Sequence, residues 1–190
     1  MLEPKLDIRH ERIISEIEKV STEQEVLNVG CGDCKTDYHL IKKGYQVYST
    51  DYTRASHFDD VMEEYFDTLN YSTANIFDLN SYPVETSEIV MCCEVLEHLV
   101  DYEQAFRNLL NLTRKRLIIG VPWKRSFNMP GPPPTGHCNW WHDENENSEF
   151  KSIYEFKEMC KPYNFYVEKI LTKQKDIQMN QRSYLIIIDK

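Results

Sequence analysis

Two cysteines stand three residues apart in "EVLNVGCGDCKTDY", residues 25–38, and two glycines flank the first of them. Cys31 and Cys34 could form a redox couple or half of a zinc site. Gly30 and Gly32 could instead form the turn on which a nucleotide rests. A zinc site takes about four ligands, usually with a second close pair. Cys92 and Cys93 are adjacent and Cys138 and Cys160 stand alone, so no second C-x-x-C exists. A redox pair at the start of a helix has no need of either glycine. The turn explains more: glycine at 30 lets the chain leave a strand sharply, and glycine at 32 lets backbone approach a ligand with no Cβ between. The cysteines are expected to hold no zinc and to do no redox chemistry.

The acids downstream agree with the turn. Asp51 lies 19 residues after Gly32, the distance at which an acid on the second strand binds ribose hydroxyls in nucleotide folds. Asp78 and Glu94 follow, each closing an apolar run. Proton-transfer candidates are His98, His137 and His142, with Asp143 and Glu144 behind them. Histidine titrates nearest neutrality and suits a general base. His137 in "TGHCNWW" is the preferred base. Trp123, Trp140, Trp141 and His142 could wall a substrate, and an indole face suits a cationic one.

Such residues need a scaffold that brings strand ends together. Ile8, Ile13, Ile14, Ile17 and Val20 have nearly helical spacing, so residues 5–20 read as an amphipathic helix. "EVLNV" (25–29) reads as a buried strand, "KTDYHLIKKG" as a helix closed by Gly44, and "YQVYSTD" (45–51) as a second strand. A helix near Phe58–Leu69 is followed by "ANIFDL", expected as the third strand and ending at Asp78. "SEIVMCC" (87–93) gives the fourth. A helix capped by Asp101 buries Tyr102, Phe106, Leu109 and Leu110, and "KRLIIGVP" gives the fifth strand. Ser152 and Glu155 form a capping box for a helix with Phe156 and Met159. "FYVEKILTK" and "RSYLIIIDK" follow each other without a helix, hence as antiparallel neighbours. Alternating strands and helices mean a mostly parallel sheet covered on both faces. Ligands bind such sheets beyond the carboxyl ends of the strands, where Asp51, Asp78, Cys93, Glu94, Pro122 and Trp123 are expected.

The 190 residues favour one domain, with a helical segment at 1–24 and a proline-rich, aromatic stretch at 123–150 that reads as a lid. No apolar run approaches the roughly 18 residues of a membrane span, and six cysteines without framework spacing suit a reducing compartment. A soluble, cytoplasmic protein is the expectation. The net charge of −9 argues against broad nucleic-acid binding.

"VLNVGCGDC", "STD", "NIFDLN" and "EIVMCCEVLEHL" together resemble the class I S-adenosylmethionine-dependent methyltransferases, in order and spacing, and are similar to their small-molecule, type 11 branch. The resemblance implies an α/β fold: one Rossmann-like, doubly wound sheet of about seven strands, mostly parallel with an antiparallel C-terminal strand. It implies S-adenosylmethionine as cofactor and S-adenosylhomocysteine as product. The methionine part would lie over Gly30, Cys31 and Gly32. The ribose would meet Asp51 with Tyr52 beside it, and the adenine Ile76, Phe77 and Asp78. Cys93 and Glu94 would border the methionyl group. Asn28 stands where the family usually has an acid and Cys34 where it has a third glycine; the Asn28 amide oxygen can still accept from the cofactor's ammonium.

The expected activity is methyl transfer to an oxygen or nitrogen of a small-molecule acceptor, with no metal. Three rivals are weighed. A nicotinamide dehydrogenase would have glycine or alanine at Lys35. Glu94, Glu97 and His98 match the metal-binding stretch of small-RNA 2′-O-methyltransferases, with His137 or His142 as a distant ligand. A cofactor-binding subunit without catalysis is the third.

Overall fold

Short aliphatic runs between helical stretches produce strands buried on both faces. The computed structural model describes residues 3–20, 25–53, 65, 68–99, 101–122, 153–173 and 180–190. Among them the strands are Glu25–Val29 (β1), Gln46–Asp51 (β2), Asn70–Thr73 (β3), Ser87–Cys93 (β4), Thr113–Pro122 (β5), Asn164–Lys173 (β6) and Asn180–Asp189 (β7). They form one sheet in the order β3-β2-β1-β4-β5-β7-β6. Strands β1 to β5 pair in parallel, whereas β7 is antiparallel to both its neighbours, β5 and β6. The helices are Ile8–Glu18 (α1), Lys35–Lys42 (α2), Tyr102–Leu112 (α3) and Ile153–Cys160 (α4).

Alternation along the strands divides the core between two faces. Val26, Val47, Ile89, Met91 and Ile118 pack with Ile13, Ile14 and Ile17 of α1 and Leu40 of α2. Leu27, Val90, Leu117 and Ile119 meet Phe106 and Leu109 of α3 and Phe156 of α4 on the other side. The doubly covered, mostly parallel sheet read from the sequence is the observed one. Asp101 caps α3 as expected, accepting from the Gln104 amide at 3.0 Å.

Polar contacts hold α1 against the C-terminal strands. Arg116 donates to both carboxylate oxygens of Asp189, at 2.7 and 3.1 Å, and to the Glu16 carbonyl at 3.0 Å. Tyr166 donates to the Glu16 carboxylate and Arg12 to Glu168. These bonds hold the middle and end of α1 against the sheet.

The third strand is not where the sequence suggested. Residues 74–79 form a turn rather than a strand, and β3 precedes them. Polar side chains explain the difference, because they offer the backbone alternatives to a sheet ladder. Asn75 Oδ1 accepts from the Phe77 amide at 3.0 Å, Asp78 Oδ1 from the Asn80 amide at 3.1 Å, and Ser81 Oγ from the Asn75 amide at 2.8 Å. Asp78 therefore caps a short 3₁₀ turn, Leu79–Ser81, instead of ending a strand. The expected helix near 58–69 falls almost entirely outside the described residues, as does Ser152 of the capping box.

Candidate active site

The chain reverses direction after β1 within a few residues, and three of them take left-handed backbone: Gly30 at φ +76°, Gly32 at +55° and Cys34 at +58°. The first two cost little. Cys34 carries a side chain in a conformation that disfavours one by about 1–2 kcal/mol. A Cβ on Gly30 would lie 2.2 Å from Val95 Cγ2, whereas one on Gly32 would meet nothing within 4 Å. The first glycine is needed for packing; the second leaves backbone open.

Strand β2 holds the turn. The Gly30 and Cys31 amides both donate to the Thr50 carbonyl, at 2.8 and 2.9 Å, and Thr50 Oγ1 donates to the Asn28 carbonyl at 2.7 Å. The Gly32 amide donates to Asp51 Oδ2 at 2.9 Å, and Asp51 Oδ1 accepts from the Tyr52 amide at 2.7 Å. Turn and acid are one bonded unit.

A cavity of about 720 Å³ opens over this unit, beyond the carboxyl ends of the strands. Asn28, Gly30, Cys31, Gly32, Asp51, Tyr52, Ile76, Phe77, Cys93 and Glu94 all line it. Asp78 is not among its lining residues; its carboxylate is exposed and engaged in its own turn. His137, Trp123, Trp140, Trp141 and His142 lie outside the described residues.

Of the opposite wall, only His98 was singled out in the sequence. The wall comes from Arg9, His10 and Ile13 of α1, His98 after β4, Ile170 of β6, and Ser183 and Tyr184 of β7. An arginine on the polar side of an amphipathic helix reads as solvated, and nothing in its spacing marks it. Arg9 donates through Nε and Nη2 to Asp7 Oδ2, at 3.1 and 2.9 Å, while Nη1 sits 3.5 Å from Glu94 Oε2. Burial works against the charge on Asp7, but hydrogen bonds from His10 and Arg9 hold its carboxyl well below the usual range. Burial pushes the Glu94 carboxyl up, and the charges of Arg9 and His98 draw it back. Glu94 itself has φ +58°, directly after β4.

Glu97 is 2% exposed and its Oε2 has no hydrogen-bond partner; burial and the charge of Glu94 push it well above the usual carboxylate range. His98 faces the cavity, 3.8 Å from Glu97 Oε1. Among the described residues these three groups do not gather into a cation-sized cluster.

The cysteine pair looks inward. Cys31 and Cys34 have their sulfurs 3.4 Å apart in a small cluster with Tyr38. The hydrogen bond with Cys34, burial and the charge of Asp37 push the Cys31 thiol far above its ordinary range. A redox nucleophile needs the reverse. Asp37 comes within 4.8 Å of both sulfurs, a neighbour that a search for further cysteines passes over. Among the described residues three such groups gather there, where a structural zinc site takes four.

Residues 27–119 match the family described as a methyltransferase domain. The structure is similar to magnesium protoporphyrin IX methyltransferase from Synechocystis, solved with S-adenosylmethionine bound, at 14% identity and TM-score 0.61, covering 94% of this chain and 77% of that one. It is similar to the YcgJ protein from Bacillus subtilis, at 14% identity and TM-score 0.65, covering 95% and 98%. The methyltransferase domain of a bacterial Hen1 gives 16% identity and TM-score 0.64, covering 95% and 96%. No curated protein matches the chain by sequence. The doubly wound sheet with its last strand reversed is the fold that these structures share. Residues 27–119 thus carry a methyltransferase domain, on a fold similar to that of S-adenosylmethionine-dependent methyltransferases.

Proposed function

We propose that the protein transfers a methyl group from S-adenosylmethionine to an oxygen or nitrogen of a small-molecule acceptor. The observation that carries this is the single cavity running from the glycine turn to the Arg9–Glu94 pair. Its volume of about 720 Å³ falls within the ~300–1,000 Å³ of small-molecule sites.

The residues at the turn fit the cofactor. A carboxylate has about four lone-pair directions, so Asp51 retains acceptor capacity for ribose hydroxyls after its two backbone bonds. Ile76 and Phe77 flank the adenine, Tyr52 lies beside the ribose, and Asn28 and the backbone of Gly30 to Gly32 meet the methionine part. Asp78, turned to its own backbone, has no part in this assignment. When bound, the cofactor supplies a methyl group already activated on a sulfonium. The chain then has to hold the acceptor in line, exclude water and take a proton.

Cys93 and Glu94, at the end of β4, border the reacting methyl. Glu94 is a carboxylate able to accept a proton there: burial raises its carboxyl, and the charge of Arg9 opposes that rise. His137 is the base nominated by the sequence, and with Trp123, Trp140, Trp141 and His142 it belongs to the segment leaving β5. The RNA reading has less behind it, given the net charge of −9 and the spread of Glu94, Glu97 and His98.

Calorimetry with S-adenosylmethionine, S-adenosylhomocysteine and NADH tests the cofactor. Binding of the first two and not the third is expected. Methyl transfer to a panel of small amines, phenols and carboxylates, against a panel of RNAs, then tests the acceptor class. Cofactor binding with no transfer to either panel would favour the non-catalytic subunit.

A further inference from the structure

Asp37, in the first turn of α2, is fully buried and lies one layer beneath the cavity wall. Its Oδ1 accepts from Asn28 Nδ2 at 2.7 Å, and its Oδ2 is buried without a hydrogen-bond partner. Burying a carboxylate with one oxygen unpartnered is costly. A side chain that only filled space there would have no reason to be an acid.

Asn28 connects it to the site. An asparagine amide can present either its oxygen or its nitrogen to a ligand, and density or sterics rarely distinguish the two. An ionised carboxylate only accepts hydrogen bonds, so Asp37 holds Nδ2 toward itself. The amide oxygen is then the acceptor left for the cavity that Asn28 lines. We propose that Asp37 is a positioning residue that locks the Asn28 amide with its oxygen toward the cavity, creating an acceptor for the ammonium of the bound cofactor. This rests on the cofactor assignment above.

The lock has a proton dependence. Once protonated, Asp37 can donate, the amide is free to turn over, and Nδ2 would then face the ammonium donor to donor. Burial raises the Asp37 carboxyl to about 7, and the Asn28 hydrogen bond draws it down. The other groups facing it are Ser49 of β2 and Cys31, Asp33 and Cys34 of the turn. Because the folded value is raised above the unfolded one, the fold gains stability from this group at acid pH and loses it as pH rises toward 7. Cofactor affinity should run the opposite way, falling about tenfold between pH 8 and pH 6 as the ionised fraction declines.

The test measures melting temperature and affinity together in the full chain. Asp37→Asn should raise the melting temperature at pH 8 while weakening S-adenosylmethionine at least tenfold and flattening its pH dependence. A purely structural acid would lower both. 5′-Methylthioadenosine, which lacks the amino group, should bind the variant and the wild type equally at every pH. The exchange Asn28→Asp with Asp37→Asn, which returns the carboxylate to the strand, should recover affinity, whereas Asn28→Asp alone sets two carboxylates face to face. Unchanged S-adenosylmethionine affinity in Asp37→Asn would overturn the proposal. So would equal weakening of methylthioadenosine, or stoichiometric zinc in the wild type that the variant loses. Failure of the wild type to bind S-adenosylmethionine, with methylthioadenosine still bound, would sink the cofactor assignment itself.

Discussion

The two ends of the cavity are built by different means. At the turn, backbone makes the site: left-handed glycines, amides shared with the Thr50 carbonyl, and one carboxylate bridging Gly32 and Tyr52. At the far end, long side chains from α1, β4 and the C-terminal hairpin converge, and charge rather than backbone shape sets the geometry. Backbone sites tolerate almost no change but need no tuning. Side-chain sites can be altered residue by residue. Under the function proposed above, the backbone-built end would take the cofactor and the side-chain-built end the acceptor.

The sharpest way to break the contrast is at Gly30. Its missing Cβ would stand 2.2 Å from Val95 Cγ2 and its φ is +76°, so Gly30→Ala combines overpacking with backbone strain. A loss of about 2–4 kcal/mol in stability is expected by denaturant titration, with cofactor binding abolished. Gly32→Ala, which meets only open space, should cost about 1 kcal/mol. Equal effects at the two positions would refute the packing account.

Next in size is Asp51→Ala. Losing hydrogen bonds to a charged group should weaken S-adenosylmethionine by about 1.5–3 kcal/mol in calorimetry. Undiminished affinity in a folded variant would remove Asp51 from the cofactor end.

Arg9→Ala should separate the ends. Cofactor affinity should move less than about threefold, while turnover with an identified acceptor drops about tenfold. Arg9 draws the Glu94 carboxyl down. Without it Glu94 stays protonated to higher pH, so the acid limb of the pH–rate profile should shift upward. A shift the other way, or a loss confined to cofactor binding, would place Arg9 at the wrong end.

The smallest effect is expected at Cys34→Gly. Removing a side chain from φ +58° should stabilise the fold by up to about 1 kcal/mol, offset by the lost contact with Cys31 and Tyr38. Marked destabilisation would mean that the buried thiol matters more than the strained backbone.

The same contrast separates what the sequence disclosed from what it hid. Gly30, Gly32 and Asp51 were legible because their roles are local: a turn needs glycine, and the step to the next strand has a standard length. The succession of strands and helices along the chain, the third strand apart, was legible from alternation and helical spacing. The run "ANIFDL" misled because its apolar residues have strand character, while Asn75, Asp78 and Ser81 take the backbone bonds a strand would need. Arg9 was hidden because a helix's polar side gives no sign of what it faces. Asp37 was hidden for another reason: an acid in the first turn of a helix already has an ordinary explanation in the helix dipole.

The position of β7 has a consequence for how the protein is made. Among the described residues β6 pairs only with β7, which follows it in the chain. During synthesis β6 leaves the ribosome before the one strand able to receive it. The two must pair as a hairpin before either docks on β5. The turn, Asp51 and the end of β4 lie within residues 25–93, so the wall proposed for the cofactor can assemble while the β6–β7 part of the opposite wall is still being translated. Until the hairpin arrives, the β5 edge stands unpaired, and the half-built enzyme is most open to sticking to its neighbours.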